Sequence, residues 1–302
     1  MIKVGCCGFP VAMSKYFQHF SLVELNRTFY EYPRENTLTG WRARAPAQFE
    51  FTVKAHQDIS HRARMKIGED SLRAFERMKR TCRLLNSKVL VIQTPGSLRP
   101  DRLSDAERFF AGVDRDDLTL TWETRGVSWE TNEEYERLAD ALKSLNVEHV
   151  TDPLRIEPAY TCKLAYFRLH GLGKRLYYYQ YDDKDLERLD EIAHRYEKKA
   201  RVVYVLFNNL AMFDDAARFV RYLSTGSFPR SGETGGLKPI EEIIERTRFP
   251  VSKTELMRRV GWKLAEVNEH KQVRLEHLIA SLPSHTYMNA EELIHGIKAI
   301  EC

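Results

Sequence analysis

Acidic, basic and amide side chains follow one apolar run after another along this sequence. Three runs end in pairs separated by two positions, and such pairs share one face of a strand: Glu24 with Asn26, Glu123 with Arg125, and Arg168 with His170. Other runs end near Lys54, Gln93, Asp152, Asn208 and Asn209. Carboxylates, cations and an imidazole in one place can transfer protons and bind anions. A polar or charged substrate is therefore expected.

Each of these residues has an expected role. Glu123 is expected to act as the acid–base or metal-binding carboxylate, and His170 to assist proton transfer because an unperturbed imidazole titrates near pH 6.5. Lys54 and Arg168 are expected to hold an anionic group. Glu24 completes the catalytic set, and the substrate-binding set is Asn26, Tyr30, Gln93, Arg125, Asp152, Arg168, Tyr179, Tyr181, Asn208 and Asn209.

The elements that carry these residues follow two alternating patterns. Eight short runs rich in apolar residues are separated by stretches with helical periodicity. The expected strands are Ile2 to Cys7, Leu22 to Arg27, Phe49 to Val53, Val89 to Gln93, Leu118 to Glu123, Val147 to Thr151, Leu164 to His170 and Val202 to Phe207. The expected helices include Ser71 to Leu85, Glu133 to Leu145, Asp185 to Lys198 and Asp214 to Leu223. Eight strand–helix units predict an α/β fold of the (β/α)8 TIM-barrel type, with an open doubly wound sheet as the alternative.

The pattern changes after Leu223. The next residues are rich in Gly and Ser and have no periodicity, as is typical of linkers. Beyond them the pattern is nearly all helical, and Ser252 with Glu255 three residues later predicts a capped helix start. The expected organisation is a barrel over residues 1–226, a linker over 227–236 and a small helical domain over 237–302.

The composition indicates a globular chain. Hydrophobic residues make up 43% of its 302 residues. No run of about 18 apolar residues occurs, and the N-terminus lacks the features of a signal peptide, so a cytoplasmic location is expected. Five cysteines without paired spacing argue against a disulfide framework or a zinc knuckle. The net charge of +4 permits an anionic partner without requiring one.

Several short motifs occur in an order and spacing that resemble those of one protein family. They are Val23 to Tyr30, Phe51 to Ala55, Ser60 and His61, Gln93 to Pro95, Glu123 to Arg125 with Ser128 and Trp129, Tyr166 to Gly171, and Phe207 to Asn209. Together they resemble the YecE-like family, the domain of unknown function numbered 72, over residues 1–224. The resemblance implies a β/α barrel but says little about substrate, because the family's activity is poorly defined. Residues 248–293 resemble a small helical domain of unknown function, numbered 2795.

Three functions are open to the expected site. No Walker loop, G-x-G-x-x-G, G-x-S-x-G or H-E-x-x-H motif occurs, so P-loop hydrolysis, dinucleotide redox chemistry and the common hydrolase elbows lack support. The preferred hypothesis is phosphodiester cleavage on nucleic acid, of the nuclease or DNA-repair type. The first alternative is isomerisation or epimerisation of a sugar or sugar phosphate. The second is noncatalytic binding of nucleic acid or another ligand.

Two basic segments favour single-stranded or damaged nucleic acid as the partner. Cations attract phosphates, and tyrosines stack on unpaired bases. The residues expected to make these contacts are Arg62, Arg64 and Lys66 after the third strand, and Lys174, Arg175 and Tyr177 after the seventh. An ordinary solvated helix face, and a pocket-shaping role for Tyr179 and Tyr181, would explain the same pattern without nucleic acid.

A divalent metal ion is a separate question. The side chains of a suitable type for Mg, Mn or Zn are Glu24, Glu123, Asp152 and His170. Cations could neutralise these carboxylates without any ion, and three share the expected site: Lys54, Arg125 and Arg168. The sequence leaves the metal unassigned.

Overall fold

Eight parallel strands form a closed barrel in the order β1 to β8. The structure is a computed structural model that describes residues 1–230, 232–233, 236–268 and 271–301. The barrel strands are β1 Ile2–Cys7, β2 Leu22–Leu25, β3 Glu50–Lys54, β4 Val89–Gln93, β5 Thr119–Glu123, β6 Glu148–Thr151, β7 Leu164–Leu169 and β8 Val202–Phe207. Each strand pairs with the next, and β8 returns to β1, where Ile2 lies opposite Val203. Closure confirms the TIM-type barrel and excludes the open doubly wound sheet.

Helices connect the strands. They are α1 Met13–Tyr16, α2 Arg27–Tyr30, α3 Glu35–Arg44, α4 Glu69–Leu85, α5 Leu103–Gly112, α6 Asn132–Leu145, α7 Asp183–Glu197 and α8 Met212–Thr225. Single helical turns cover Asp58–Arg62, Pro100–Arg102 and Val127–Trp129. Helix α4 illustrates the packing, because its buried apolar residues recur every three or four positions: Ala74, Phe75, Met78, Cys82 and Leu85. Among the described residues, no helix is both long and apolar enough to cross a membrane.

The predicted strand bounds agree with the observed ones to within two residues, and the largest difference falls on β2. This strand ends at Leu25 rather than Arg27, because α2 begins immediately and Asn26 is its N-cap. The prediction that Glu24 and Asn26 share one face of a strand is therefore wrong. Asn26 instead donates from Nδ2 to the carbonyl oxygen of Cys7, 2.9 Å away.

Alternate strand positions build the barrel interior, as the two-residue repeat of a strand requires. The buried cluster inside the barrel consists of Cys7, Leu22, Val89, Val91, Val150, Leu164, Tyr166, Tyr204 and Leu206. Two positions further along, toward the carboxyl ends of the strands, the same repeat places polar side chains. Glu24 follows Leu22 in this way, and Arg168 follows Tyr166. The sequence therefore changes from an apolar to a charged interior where TIM barrels carry their active sites.

The chain forms two compact units. The barrel unit comprises Met1–Leu169 and Leu189–Phe207 and contains all eight barrel strands. The second unit comprises His170–Arg188 and Asn208–Cys302. Its apolar core includes Ile240, Ile244, Leu256, Leu275, Tyr287 and Leu293.

The C-terminal elements of the second unit include helices and short strands. They are β9 Lys238–Pro239, α9 Ile240–Glu245, β10 Val251–Ser252, α10 Lys253–Val260, β11 Leu264–Asn268, β12 Lys271–Arg274, α11 Leu275–Ser281, β13 Thr286–Tyr287 and α12 Ala290–Glu301. The strands form a three-stranded sheet, β12-β11-β9, and a pair, β10-β13. The prediction of a nearly all-helical tail needs this correction, because strands of two to five residues are too short to show a clear alternation. The predicted cap is present, since the Ser252 hydroxyl accepts from the Glu255 amide at 3.3 Å.

The domain boundaries at residues 226 and 237 stay a prediction. Arg230 is the only trypsin site between Gly226 and Leu237, and it is exposed. We expect brief trypsin treatment to cut first after Arg230, because a Gly- and Ser-rich segment adapts easily to a protease. Mass spectrometry of the first fragments measures this. A first stable fragment that ends inside the barrel, for instance near Leu145, would contradict the boundaries.

Candidate active site

Arg168 lies at the centre of a buried charged cluster in the barrel unit. Its side chain projects from β7 and is completely buried. One terminal nitrogen, Nη1, donates to Oε2 of Glu123 and, at 3.2 Å, to Oε1 of Gln93. The other, Nη2, donates to Oε1 of Glu24 at 2.9 Å. Arg168 thereby links the carboxyl ends of β2, β4, β5 and β7.

The electrostatics of Arg168 follow from these partners. Burial alone would lower the pKa of its guanidinium, but the carboxylates of Glu123 and Glu24 outweigh burial and raise the pKa well above its ordinary value. Arg168 therefore stays charged at any physiological pH. The guanidinium offsets the negative charge of the two carboxylates inside the barrel, because buried ions need partners of opposite charge.

Glu24 has a second partner that the sequence did not indicate. Its Oε2 accepts from the Tyr166 hydroxyl at 2.8 Å, and that hydroxyl lies 2.7 Å from the Thr52 hydroxyl. Cys7 also faces this carboxylate: burial first, and then Glu24, raise the pKa of its thiol well above the ordinary value. Tyr166 and Cys7 went unnoticed because they lie within apolar runs. The available signal was the position of Tyr166, two residues before Arg168 on the inward face.

Lys54 occupies the end of β3 and is the lysine of the cluster. It is only 7% exposed, and its Nζ donates to Oε1 of Gln93 at 2.9 Å. The ammonium also lies 4.2 Å from the ring centroid of Phe29. Burial first, and then the charge of Arg168, lower the pKa of Lys54 to about 8. Lys54 can therefore gain or lose a proton near neutral pH.

The cluster has an excess of cations. Glu123 is engaged on both oxygens, since Oε1 accepts from Nε of Arg125 at 2.8 Å. The neutral amide oxygen of Gln93 accepts hydrogen bonds from Lys54, from Arg168 and, at 3.4 Å, from Arg125. Three cations thus face two carboxylates that guanidinium groups already occupy. An anionic ligand group would offset the remaining positive charge.

The donor set of the cluster does not fit a metal ion. Among the residues described, no three His, Cys, Asp or Glu side chains come together in a way that could hold one. In the barrel unit a guanidinium lies between the carboxylates of Glu24 and Glu123. Asp152 caps its own loop instead, where its Oδ1 accepts from the Leu154 amide at 3.2 Å.

His61 is a functional candidate that was not among the predicted site residues. Burial first, and then the charges of Lys54 and Arg125, lower the pKa of its imidazole. The ring lies 4.9 Å from the ring of Phe29, which is also the ring beneath Lys54. Nδ1 lies 2.8 Å from the Ser60 hydroxyl. A neutral imidazole beside two cations can accept a proton, and its membership of the Ser60–His61 motif was the available signal.

His149, a buried histidine of the barrel unit, has a structural role. Burial lowers the pKa of His149 to about 4. Its Nδ1 accepts from the Ala159 amide at 3.0 Å, so the neutral ring holds the loop that precedes β7.

Tyr30, predicted to bind substrate, is 70% exposed at the end of α2 and contacts the ring of Phe29.

The remaining residues of the predicted catalytic and substrate-binding sets belong to the second unit. The Asn209 amide is buried and donates to the carbonyl oxygen of Tyr179 and to Asp215, at 2.7 and 2.6 Å. The Tyr181 hydroxyl is also buried and accepts from the Gly171 amide at 2.7 Å. These contacts shape the loop after β7. His170 is buried, with its ring 5.9 Å from that of Tyr177, Asn208 is partly exposed, and a catalytic or binding role for either stays a prediction.

The basic segment after β3 is partly neutralised. Arg62 is paired with Asp58 at 2.8 Å, and Arg64 donates to the carbonyl oxygen of Ser97 at 2.9 Å. Lys66 is exposed. On the adjacent helix α4 the cations paired with carboxylates are Arg73, Lys79, Arg80 and Arg83. This face therefore offers phosphate fewer uncompensated charges than its sequence suggests.

The comparisons with known proteins agree with this fold. The family model described as "Protein of unknown function DUF72" matches residues 10–230. UPF0759 protein YunF of Bacillus subtilis is 25% identical over 225 residues, which are 65% of this chain and 80% of that protein. A crystal structure of a DUF72 family protein from Enterococcus faecalis matches with a TM-score of 0.61 at 22% identity, covering 75% of this chain and 98% of that one. One from Thermotoga maritima matches with a TM-score of 0.60 at 24% identity, covering 74% and 99%.

The family match covers the barrel motifs and stops before the tail. The expected resemblance over the barrel is confirmed, whereas the resemblance of residues 248–293 to the small helical domain numbered 2795 stays a prediction. Closed parallel topology, the motif order and the family model all agree over residues 10–230. The chain belongs to the DUF72 family.

Proposed function

We propose that the barrel unit is an enzyme that cleaves a phosphodiester bond, with nucleic acid as its substrate class. One observation carries the proposal: Lys54, with a pKa near 8, bonds to a neutral amide oxygen in a cluster where cations outnumber carboxylates. Such a lysine can bind a phosphate oxygen and also supply a proton. Arg125, which is partly exposed beside it, supplies a second charge for the phosphate.

His61 and Lys54 take the two proton-transfer roles in this proposal. Neutral His61 accepts a proton from the attacking water as the new P–O bond forms. Protonated Lys54 donates a proton to the leaving oxygen as the old P–O bond breaks. Paired acid and base groups of this kind each contribute about 10²- to 10⁴-fold to a rate. Arg168, Glu24 and Glu123 hold the cluster in position, and no step needs a metal ion.

A specific observation also favours a second function, isomerisation of a sugar phosphate. Lys54 is almost fully buried, and a small substrate reaches a buried lysine more easily than a polymer does. In this reaction Lys54 would act in its neutral form and remove a proton next to the carbonyl group. The same site therefore requires opposite protonation states of Lys54 in the two reactions.

The pH dependence of kcat/KM distinguishes the two functions. For phosphodiester cleavage we expect a bell-shaped profile, because His61 must be neutral and Lys54 protonated. Activity is lost below the pKa of His61, which lies under the ordinary value of about 6.5, and again above about pH 8. For sugar isomerisation the activity rises as pH passes through about 8, because Lys54 must lose its proton. Bis(p-nitrophenyl) phosphate, oligonucleotides and aldose phosphates serve as substrates.

A further inference from the structure

A cavity lies entirely within the second unit. Its volume is about 530 Å³, which is within the range of small-molecule sites. Residues of the loop after β7 form one side, and residues of α10, β12 and the turn between α10 and β11 form the other. The barrel cluster contributes nothing to this cavity.

Cations dominate the lining of this cavity. Four cations line it, and one carboxylate, Glu276, lies among them: Lys174, Arg175, Arg258 and Arg274. Arg258 is paired with Glu255 at 3.3 Å, and Arg274 donates to the carbonyl oxygens of Trp262 and Gln180, at 3.0 and 3.1 Å, while its charge also acts on Asp185. Lys174 and Arg175 are exposed and have no ion pair within the described part of the chain. A ligand with one or two negative charges would offset this surplus.

Aromatic rings alternate with these cations. The guanidinium of Arg175 lies 3.3 Å from the ring centroid of Tyr178, and that of Arg274 lies 4.2 Å from the ring of Tyr179. Trp262 meets Tyr178 edge to face at 6.0 Å. Its indole nitrogen donates to the carbonyl oxygen of Arg259 at 2.9 Å, which fixes the orientation of the ring. Fixed aromatic surfaces of this kind stack on unpaired bases.

We propose that this cavity binds one nucleotide unit of single-stranded nucleic acid. Lys174 and Arg175 hold the backbone phosphate, and an unpaired base stacks against Tyr178 or Trp262. The base of a paired duplex is not available for such stacking, so the cavity selects single strands. The site goes beyond the proposed chemistry of the barrel. It extends the sequence hypothesis for Lys174 and Arg175 with Trp262 and Arg274, whereas Tyr177 is outside the lining.

Fluorescence anisotropy of the full chain with a labelled oligothymidylate tests the proposal. Lys174→Ser with Arg175→Ser should raise Kd about tenfold or more at about 50 mM salt. The same variant should flatten the plot of log Kd against log salt by about 0.7, since the one phosphate contact that it removes on a single strand contributes about that much. Trp262→Ala should raise Kd about 5- to 150-fold, the equivalent of one lost stack, with an unchanged salt slope.

A charge-matched control separates the cavity from general charge. Lys184→Ser with Arg221→Ser removes two exposed cations of the second unit that do not line the cavity, so its Kd should stay within about twofold of wild type. Trp262→Phe keeps an aromatic ring, and binding close to wild type in this variant would show that the loss in Trp262→Ala is not unfolding.

Three direct binding results would overturn the proposal, and a competition experiment gives a fourth. They are undetectable strand binding at about 50 mM salt, equal affinity of wild type and the Lys174–Arg175 variant, and equal affinity for strand and duplex. Thymidine monophosphate and unlabelled strand should also be compared as competitors at equal nucleotide concentration. If the monophosphate competes equally well, a free nucleotide is the ligand, and this result also contradicts the assignment. Because binding is measured without turnover, failure of the phosphodiesterase hypothesis leaves this inference intact.

Discussion

Replacing Lys54 by arginine is expected to lower kcat/KM for the phosphodiester substrate by about 10²-fold or more. Arginine keeps the positive charge, but its pKa, which lies far above that of lysine, prevents it from donating a proton near neutral pH. Substrate binding should therefore weaken less than turnover does. The alkaline limb of the pH profile should disappear, because the group that titrates near pH 8 is gone. Steady-state kinetics from about pH 5 to 10 measure both effects.

Two further variants test whether Lys54 itself binds the phosphate and transfers the proton. Lys54→Met should lose binding as well as turnover, since the charge is also removed. Lys88→Arg is the control, because Lys88 is exposed and paired with Asp117 at the opposite end of the barrel strands. A kcat/KM for Lys54→Arg within about threefold of wild type would refute acid–base transfer by Lys54. Unchanged anion binding in Lys54→Met would refute its role as a phosphate ligand.

The fold could be predicted from the sequence to a large extent. Apolar runs of four to six residues, separated by amphipathic stretches such as Glu69–Leu85, are typical of a parallel sheet, because its strands are buried on both faces. Closure could not follow from the pattern, since each strand satisfies the same local rules in an open sheet. It depends on the pairing of β8 with β1, which joins the two ends of the barrel sequence.

The site was predicted in part, for reasons of periodicity. Five of the predicted residues lie near the carboxyl ends of their strands at positions that face the barrel interior, so the two-residue repeat brings them together: Glu24, Lys54, Gln93, Glu123 and Arg168. The sequence left open whether a metal ion or a guanidinium joins the carboxylates of Glu24 and Glu123, because either one would be held by the same two side chains; the structure places Arg168 between them. Tyr166 and Cys7 were missed since each also fits an apolar interior position. Trp262 was missed because tertiary packing alone places it beside Tyr178.

The pairing within the charged cluster makes a prediction about stability. Arg168→Met leaves the carboxylates of Glu24 and Glu123 buried without their shared cation. The free energy of unfolding should fall by about 3–5 kcal/mol at pH 8, the usual cost of an uncompensated buried charge. The deficit should shrink as the pH falls. An unpaired buried carboxylate has a folded pKa above its unfolded value, so the folded variant takes up protons more readily than the unfolded chain.

Removing the charges together tests whether this cost is electrostatic. The triple variant Arg168→Met with Glu24→Gln and Glu123→Gln has no buried ion left at these positions, so it should recover much of the lost stability and lose its pH dependence. Arg125→Gln is the matched control: its guanidinium is partly exposed and meets only one of the two carboxylates, so a loss of about 1 kcal/mol or less is expected. Urea unfolding at pH 5 and 8 measures the free energy of unfolding of the wild type and the three variants. The usual dependence of this free energy on urea is about 1–3 kcal/mol per molar. If Arg168→Met unfolds at the wild-type midpoint, or if the triple variant is no more stable than the single one at pH 8, the cluster does not depend on Arg168 for its charge balance. The excess of cations around Lys54 would then no longer follow from the pairing of the carboxylates with Arg168.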